Sequence, residues 1–177
     1  MEKRITTPLS REDAAKLRCG ESVLLSGEIY TARDAAHKRM VESLERGEKL
    51  PFDIKDKVIY YAGPAPAKPG RIIGSCGPTT SCRMDAYAPK LIGLGLTGMI
   101  GKGERSAAVI EAMKEHKSVY FGAIGGAGAL IAECVTAVEE IAYGDLETEA
   151  VRKLTVQDLP LTVVIDSTGQ SLYERKD

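Results

Sequence analysis

Residues 74–85, GSCGPTTSCRMD, place two thiols, four hydroxyls, one guanidinium and one carboxylate in twelve positions with no apolar run. Three chemistries fit such a stretch. Cys76 and Cys82 are potential metal ligands, but they do not form a Cys-x-x-Cys pair. The other thiols, Cys19 and Cys134, and both histidines, His37 and His116, are distant in sequence. Closed zinc and iron-sulfur sites draw on tightly paired ligands, so a complete local metal cage is not expected. The second chemistry is anion binding. Gly77-Pro78 sets a turn, Thr79, Thr80 and Ser81 can cap a helix, and Arg83 adds a fixed charge one turn in. Helix starts expose free N–H groups and the positive end of the dipole, and arginine grips a carboxylate or phosphate through two parallel hydrogen bonds. The third is an ordinary capped helix start with a solvated arginine, and these residues alone leave the last two open.

Three other loops carry polar groups that invite the same question. Gly101-Lys102-Gly103 resembles the end of a phosphate loop, yet Gly103 stands where Ser or Thr would bind the metal, so a Walker site is disfavoured. Lys102 between two glycines can approach a ligand closely, or be a solvated lysine in a turn. Gly122 to Gly128 lies between a strand pattern and a helix pattern, but its glycines have the wrong offsets for a dinucleotide fingerprint. Arg33, in TARD, opens a helix directly after a strand and is an anion-ligand candidate; His37, one turn on, could point the same way. Cys76 and Cys82 are expected to be packed or inert thiols, and Cys134, in an apolar helical pattern, a core residue.

The elements that must hold these loops alternate along the chain. Ser10 to Asp13 reads as a capping box opening a short helix that ends at Cys19-Gly20. Strands are expected at 22–30 (with a turn-like break at Ser26-Gly27), 58–61, 71–73, 98–100, 118–121 and 161–166, with a frayed strand at 170–174. Helices are expected at 32–46, 80–94, 104–116 and 129–141. Three prolines in 63–70, GPAPAKPG, exclude regular structure there and make a stiff, shaped loop. The whole, residues 1–177, reads as one α/β domain built of strand–loop–helix units. A formal net charge of −1 and an aromatic content of 5% without Trp give no footprint for nucleic acid or an acidic membrane. No apolar stretch nears the ~20 residues of a span and the start MEKRITTPLSRED is no signal peptide, so a cytoplasmic chain is expected.

Taken together, GPAPAKPG at 63–70, GSCGPTTSCRMD at 74–85, MIGKG at 99–103 and LLSGEIYTARDAAHKRM at 24–40 resemble the C-terminal domain, or separate β subunit, of class I iron-sulfur hydro-lyases, the fumarase and L-tartrate dehydratase family. That resemblance covers nearly the whole chain. It implies a swivelling β/β/α domain and reversible addition of water to an unsaturated dicarboxylate. It also implies a [4Fe-4S] cluster held by three cysteines of a partner α subunit rather than by this chain, its open iron acting as Lewis acid on the substrate hydroxyl. By the same resemblance Arg33, Arg83 and Lys102 bind the substrate carboxylates and Thr79 is the proton-abstracting residue. A lone threonine hydroxyl is too weak an acid for that work, so a carboxylate of the α subunit and the cationic surroundings must activate it. Cys82 stands where the family commonly has a small residue, and the alternative to an inert thiol there is one made oxidation-sensitive by Arg83. The expectation is therefore the β subunit of a two-subunit fumarate hydratase, α2β2-like and inactive alone. The β subunit of L-tartrate dehydratase is the nearest alternative, and a non-catalytic anion- or nucleotide-binding assembly module the alternative of a different class.

Overall fold

The structure, a computed structural model, describes residues 2–123 and 128–174. In chain order its elements are β1 (Lys3–Thr6), α1 (Arg11–Lys16), β2 (Ser22–Thr31), α2 (Asp34–Glu45), β3 (Val58–Tyr60), α3 (Ala88–Gly93) and β4 (Gly98–Gly101). They continue with α4 (Ala107–His116), β5 (Val119–Ala123), α5 (Gly128–Glu133), β6 (Val135–Ala142) and β7 (Val151–Ile165). Short 3-10 helices lie at Ser81–Met84 and Gly144–Glu149.

The architecture is mixed α/β with a seven-stranded sheet ordered β1-β2-β3-β4-β5-β7-β6. An additional β2–β7 pairing joins β2, β3, β4, β5 and β7 into a barrel-like ring. Strands β1 to β5 run parallel, and β7 closes the ring antiparallel to both β2 and β5. Successive residues of β3 to β5 serve two different cores, as the two-residue period of a strand requires. Tyr60, Ile100 and Phe121 join Leu25, Leu154 and Val163 inside the ring. Ile59, Met99 and Tyr120 face the opposite way, against Met40 of α2, Leu91 of α3 and Met113 of α4. Strands buried on both faces explain the short, wholly apolar runs in the sequence.

Local chemistry sets several boundaries. Ser10 accepts from the Asp13 amide at 3.1 Å and starts α1; Ser106 accepts from Val109 at 3.4 Å and starts α4. The Ser26-Gly27 interruption is a bulge rather than a turn: β2 runs through it with a register shift between Leu25 and Gly27.

Four expectations need correction. Residues 71–73 form no strand and belong to a loop that folds back on itself, with the Gly74 amide donating to Ala65 O at 3.2 Å. The helix expected over 80–94 is a four-residue 3-10 turn followed, after a break, by α3, which begins with Pro89 in its first turn. The helix expected over 129–141 stops at Glu133 and gives way to β6. Cys134 therefore sits at that junction, only partly buried against the ring core. Strand β7 begins ten residues before the expected 161, and among the described residues those after it make a single bridge, Ile165 with Ser171, instead of a terminal strand.

Candidate active site

Parallel strands end on the same side, so the loops after β2, β3 and β4 share one rim of the ring. Arg33 follows β2 and is the N-cap residue of α2. Thr79 is tied to the end of β3, its amide donating to Tyr61 O at 2.7 Å. Lys102 directly follows β4. The glycine-rich loop after β5 includes residues 124–127, which lie outside the described residues.

The segment from Thr79 to Ser81 extends the sheet at this rim. Thr80 bridges Lys102 in parallel fashion, and the Ser81 amide donates to Lys102 O at 2.9 Å. Two of the amides expected to hold an anion are thus spent on backbone pairing. Thr80 makes no side-chain cap, and a 3-10 turn of four residues has little dipole to offer. The anion-binding capacity of this stretch rests instead on side chains. Gly101 makes the close approach feasible. A Cβ there would run into Ser81 Oγ and would lie 2.8 Å from the Tyr61 ring. Gly101→Ala is expected to destabilise the chain by about 1–3 kcal/mol in denaturant unfolding. A variant as stable as the parent would show that Ser81 can be expelled from that contact without cost.

Arg33 and Arg83 meet around one carboxylate. Asp34 lies 3.9 Å from Arg83 Nη1 through one oxygen and 3.9 Å from Arg33 Nε through the other. Glu149, from the 3-10 turn before β7, stands 3.9 Å from Arg33 Nε and accepts from the Ala35 amide at 3.3 Å, so it caps α2. These are loose pairs. Arg33 Nε and Asp34 Oδ1 are buried, yet neither has a hydrogen-bond partner among the described residues. A guanidinium held near carboxylates but not bonded to them keeps its donors for a ligand. Gly63, from the proline-rich loop, leaves room for the Arg33 stem: a Cβ there would stand 3.2 Å from Arg33 Cδ. Glu149 carries no local sequence signal, because only the tertiary fold brings it to a helix start far away in the chain.

His37, expected beside Arg33, turns away. His37 is fully buried, its Nδ1–H donating to Arg33 O at 2.9 Å and its ring edge-on to Tyr61. Burial holds its pKa down at about 4, so the ring is neutral and supports α2 rather than facing a ligand. Cys76 is buried and its thiol is pushed up to about 12 by desolvation; Cys82 is exposed on the turn that carries Arg83. All four thiols are free, and among the described residues no three of His, Cys, Asp and Glu converge as metal ligands. The residues present do not fit an iron-sulfur cluster.

Beside Lys102 a cavity of about 270 Å³ is lined by Gly103, Tyr120, Gly122, Thr162 and Tyr173. A larger recess of about 680 Å³, lined by Pro89, Glu111 and His116, lies on the outer faces of α3 and α4, away from the arginines. The rim is the better candidate, because there Arg33 and Arg83 flank one carboxylate and the segment from Thr79 to Ser81 is tied by its backbone to Lys102.

The family model described as Fumarase C-terminus matches residues 2–176. The chain belongs to the Fumarase C-terminus family. It is 41% identical over 153 residues to "Fumarate hydratase class I, aerobic" of Salmonella typhimurium, covering 85% of this chain and 26% of that protein. It is 40% identical over 172 residues to "Putative L(+)-tartrate dehydratase subunit beta" of Methanocaldococcus jannaschii, covering 94% of this chain and 88% of that one. "Putative fumarate hydratase class I" of Geobacillus stearothermophilus is 35% identical over 98% of this chain and 34% of its own length. The Fumarase C-terminus chain thus spans about a quarter to a third of these fumarate hydratases, but most of the tartrate dehydratase β subunit. Among the described residues no helix is long and apolar enough to cross a membrane.

Proposed function

We propose that this chain, residues 1–177 as one domain, is the β subunit of a two-subunit class I fumarate hydratase that interconverts fumarate and L-malate. Three cations and a threonine gathered at one rim of a chain matched throughout by the Fumarase C-terminus family carry this reading. The fold corresponds to the swivelling β/β/α domain of the hydro-lyases. The work is cytoplasmic and done in a hetero-oligomer, α2β2-like, with an α subunit that holds the [4Fe-4S] cluster. The β subunit of an L-tartrate dehydratase is a second reading, favoured by the 88% coverage of the tartrate-named relative.

The chemistry assigned to this chain follows from charge. A 2-hydroxy dicarboxylate brings two negative charges to the rim. Arg33, Arg83 and Lys102 neutralise them and fix the orientation of the carbon skeleton. Neutralising the carboxylate next to the C–H bond also stabilises the charge that develops there when the proton leaves. Thr79 is the group on this chain assigned to pass that proton, with a base from the partner completing the transfer.

Reconstitution with a cluster-bearing α subunit, followed by assays on malate, fumarate and tartrate, tests the proposal. Turnover of malate and fumarate is expected. No dehydration of any substrate by a complex of verified cluster content would end it, and a clear preference for tartrate would select the second reading. Arg33→Met is expected to raise KM about ten- to hundredfold, since its side chain is only 26% exposed. Arg83, at 57% exposure, is screened more strongly, and Arg83→Met is expected to raise KM less. Equal KM values for parent and both variants would remove the arginines from the site.

A further inference from the structure

Arg105 is a buried cation that the chemistry above does not use. Its side chain is 0% exposed, and it lies between the loop after β4 and the start of α4. Nε donates to Asp85 Oδ1 at 2.8 Å and Nη2 to the Tyr61 hydroxyl at 3.1 Å. Its guanidinium carbon lies 4.8 Å from the Tyr120 ring centre and 5.2 Å from that of Tyr61, within cation–π range of both. The second Asp85 oxygen accepts from the Ser106 amide at 2.7 Å. Tyr120 donates its one hydroxyl proton to Gly103 O at 2.8 Å, so the Ser81 hydroxyl at 2.7 Å must be donating to Tyr120.

Each of these groups belongs to a piece of the rim. Ser81 and Asp85 bracket the turn that presents Arg83. Tyr61 supplies the carbonyl that holds the Thr79 amide. Gly103 follows Lys102, whose own carbonyl takes the Ser81 amide. A buried charge of this kind is a costly way to gain stability, since apolar replacements often serve as well. It is an effective way to fix several segments in one arrangement, because every bond has a single geometry.

We propose that Arg105, bonded to Asp85 and Tyr61 and stacked against Tyr120, is the positioning residue that locks Thr79, Arg83 and Lys102 in mutual register. This rests on the rim being the dicarboxylate site. Arg105 touches no substrate and acts through the segments it joins. Burial alone works against its charge, and Tyr61 with Asp85 more than offsets that, so the guanidinium stays ionised.

Arg105→Lys keeps the charge but loses the planar fork, and Tyr61→Phe removes one hydroxyl while keeping the ring. Both are to be compared with the parent in two ways. In the α-subunit complex kcat is expected to fall about 10- to 100-fold for Arg105→Lys and less for Tyr61→Phe, with KM changing under threefold. In the full chain, amide hydrogen exchange at Thr79 and Ser81 is expected to rise at least tenfold, while the β2–β7 ladder is unchanged. Unaltered kcat and exchange in Arg105→Lys would overturn the proposal. Exchange rising evenly through β2 and β7, with activity lost in step with folded fraction, would also overturn it and leave Arg105 a core residue. If Arg105→Lys does not fold, Tyr61→Phe decides by the same criteria. Selective exchange at Thr79 and Ser81 together with an inactive parent complex would uphold the lock and reject the dicarboxylate reading instead.

Discussion

Thr79→Ala, assembled with the cluster-bearing partner, is expected to lower kcat by about 10²- to 10⁴-fold, or roughly 3–5 kcal/mol of barrier, with KM nearly unchanged. The reason lies in what the substitution leaves intact. Thr79 is held by its amide on Tyr61 O, a backbone bond that alanine keeps. Its neighbours Thr80 and Ser81 are fixed to Lys102 through the bridge and the Ser81 amide. Removing one hydroxyl at a half-buried position therefore costs little stability, and the loss falls on the proton transfer. Thr79→Ser, which keeps the hydroxyl, is expected to retain most of the turnover. Two measurements settle the matter: steady-state kinetics of both variants and their unfolding midpoints. Wild-type kcat in Thr79→Ala would take the hydroxyl out of the mechanism.

Acidification is expected to weaken the chain through His37 by about 3 kcal/mol between pH 6.5 and 4. The folded-state value is held down at about 4, chiefly by burial, with the bond to Arg33 O opposing and nearby Arg105 adding to the depression. The unfolded chain then binds the proton first as pH falls. The stabilising contribution is complete above about pH 6.5 and is lost progressively down to pH 4. His37→Asn can still donate to Arg33 O but does not titrate in that range. Its unfolding free energy is expected to start lower, owing to lost ring packing, and to fall less steeply between pH 6.5 and 4. Parallel curves for parent and variant would refute the assignment.

Much of the positioning scaffold can be read from residue patterns. The short apolar runs of β3, β4 and β5, the serine caps of α1 and α4 and the glycine after α2 all obey local rules. So does the placement of Arg33 and Lys102 directly after strands, whereas Thr79 was picked out by the family resemblance, because the strand expected before it at 71–73 does not form. The failures have physical causes too. Strand β6 was expected to be helical because two bulges, at Val135/Ala137 and Glu140/Ala142, break its alternation and leave Val135, Val138 and Ile141 at helix-like spacing. The first part of β7 was hidden by Pro160, which argues against a central strand. Here Pro160 pairs with Leu24 on one side, while opposite it the partner changes from β6, last paired at Val156, to β5, first paired at Leu161. Glu149, Asp34 and the Arg105 cluster were silent because their roles arise from contacts between distant segments. A buried arginine has the same letter as a solvated one.

The double pairing of β7 also sets when the molecule can become itself. Ser22 pairs with Thr162, and Gly122, beside its parallel partner Gly101, pairs with the same residue. Every strand that presents a rim residue is made long before the strand that closes the ring. Loop closure over such a span is slow compared with forming neighbouring parallel pairs. A nascent chain is then expected to collect β1 to β5 early, with the free edges of β2 and β5 awaiting β7. Refolding should show one late, concerted phase in which β2 and β5 gain protection together. The order of synthesis would thus keep the cationic rim unfinished until the last third of the chain is available, and recruitment of a partner would follow closure.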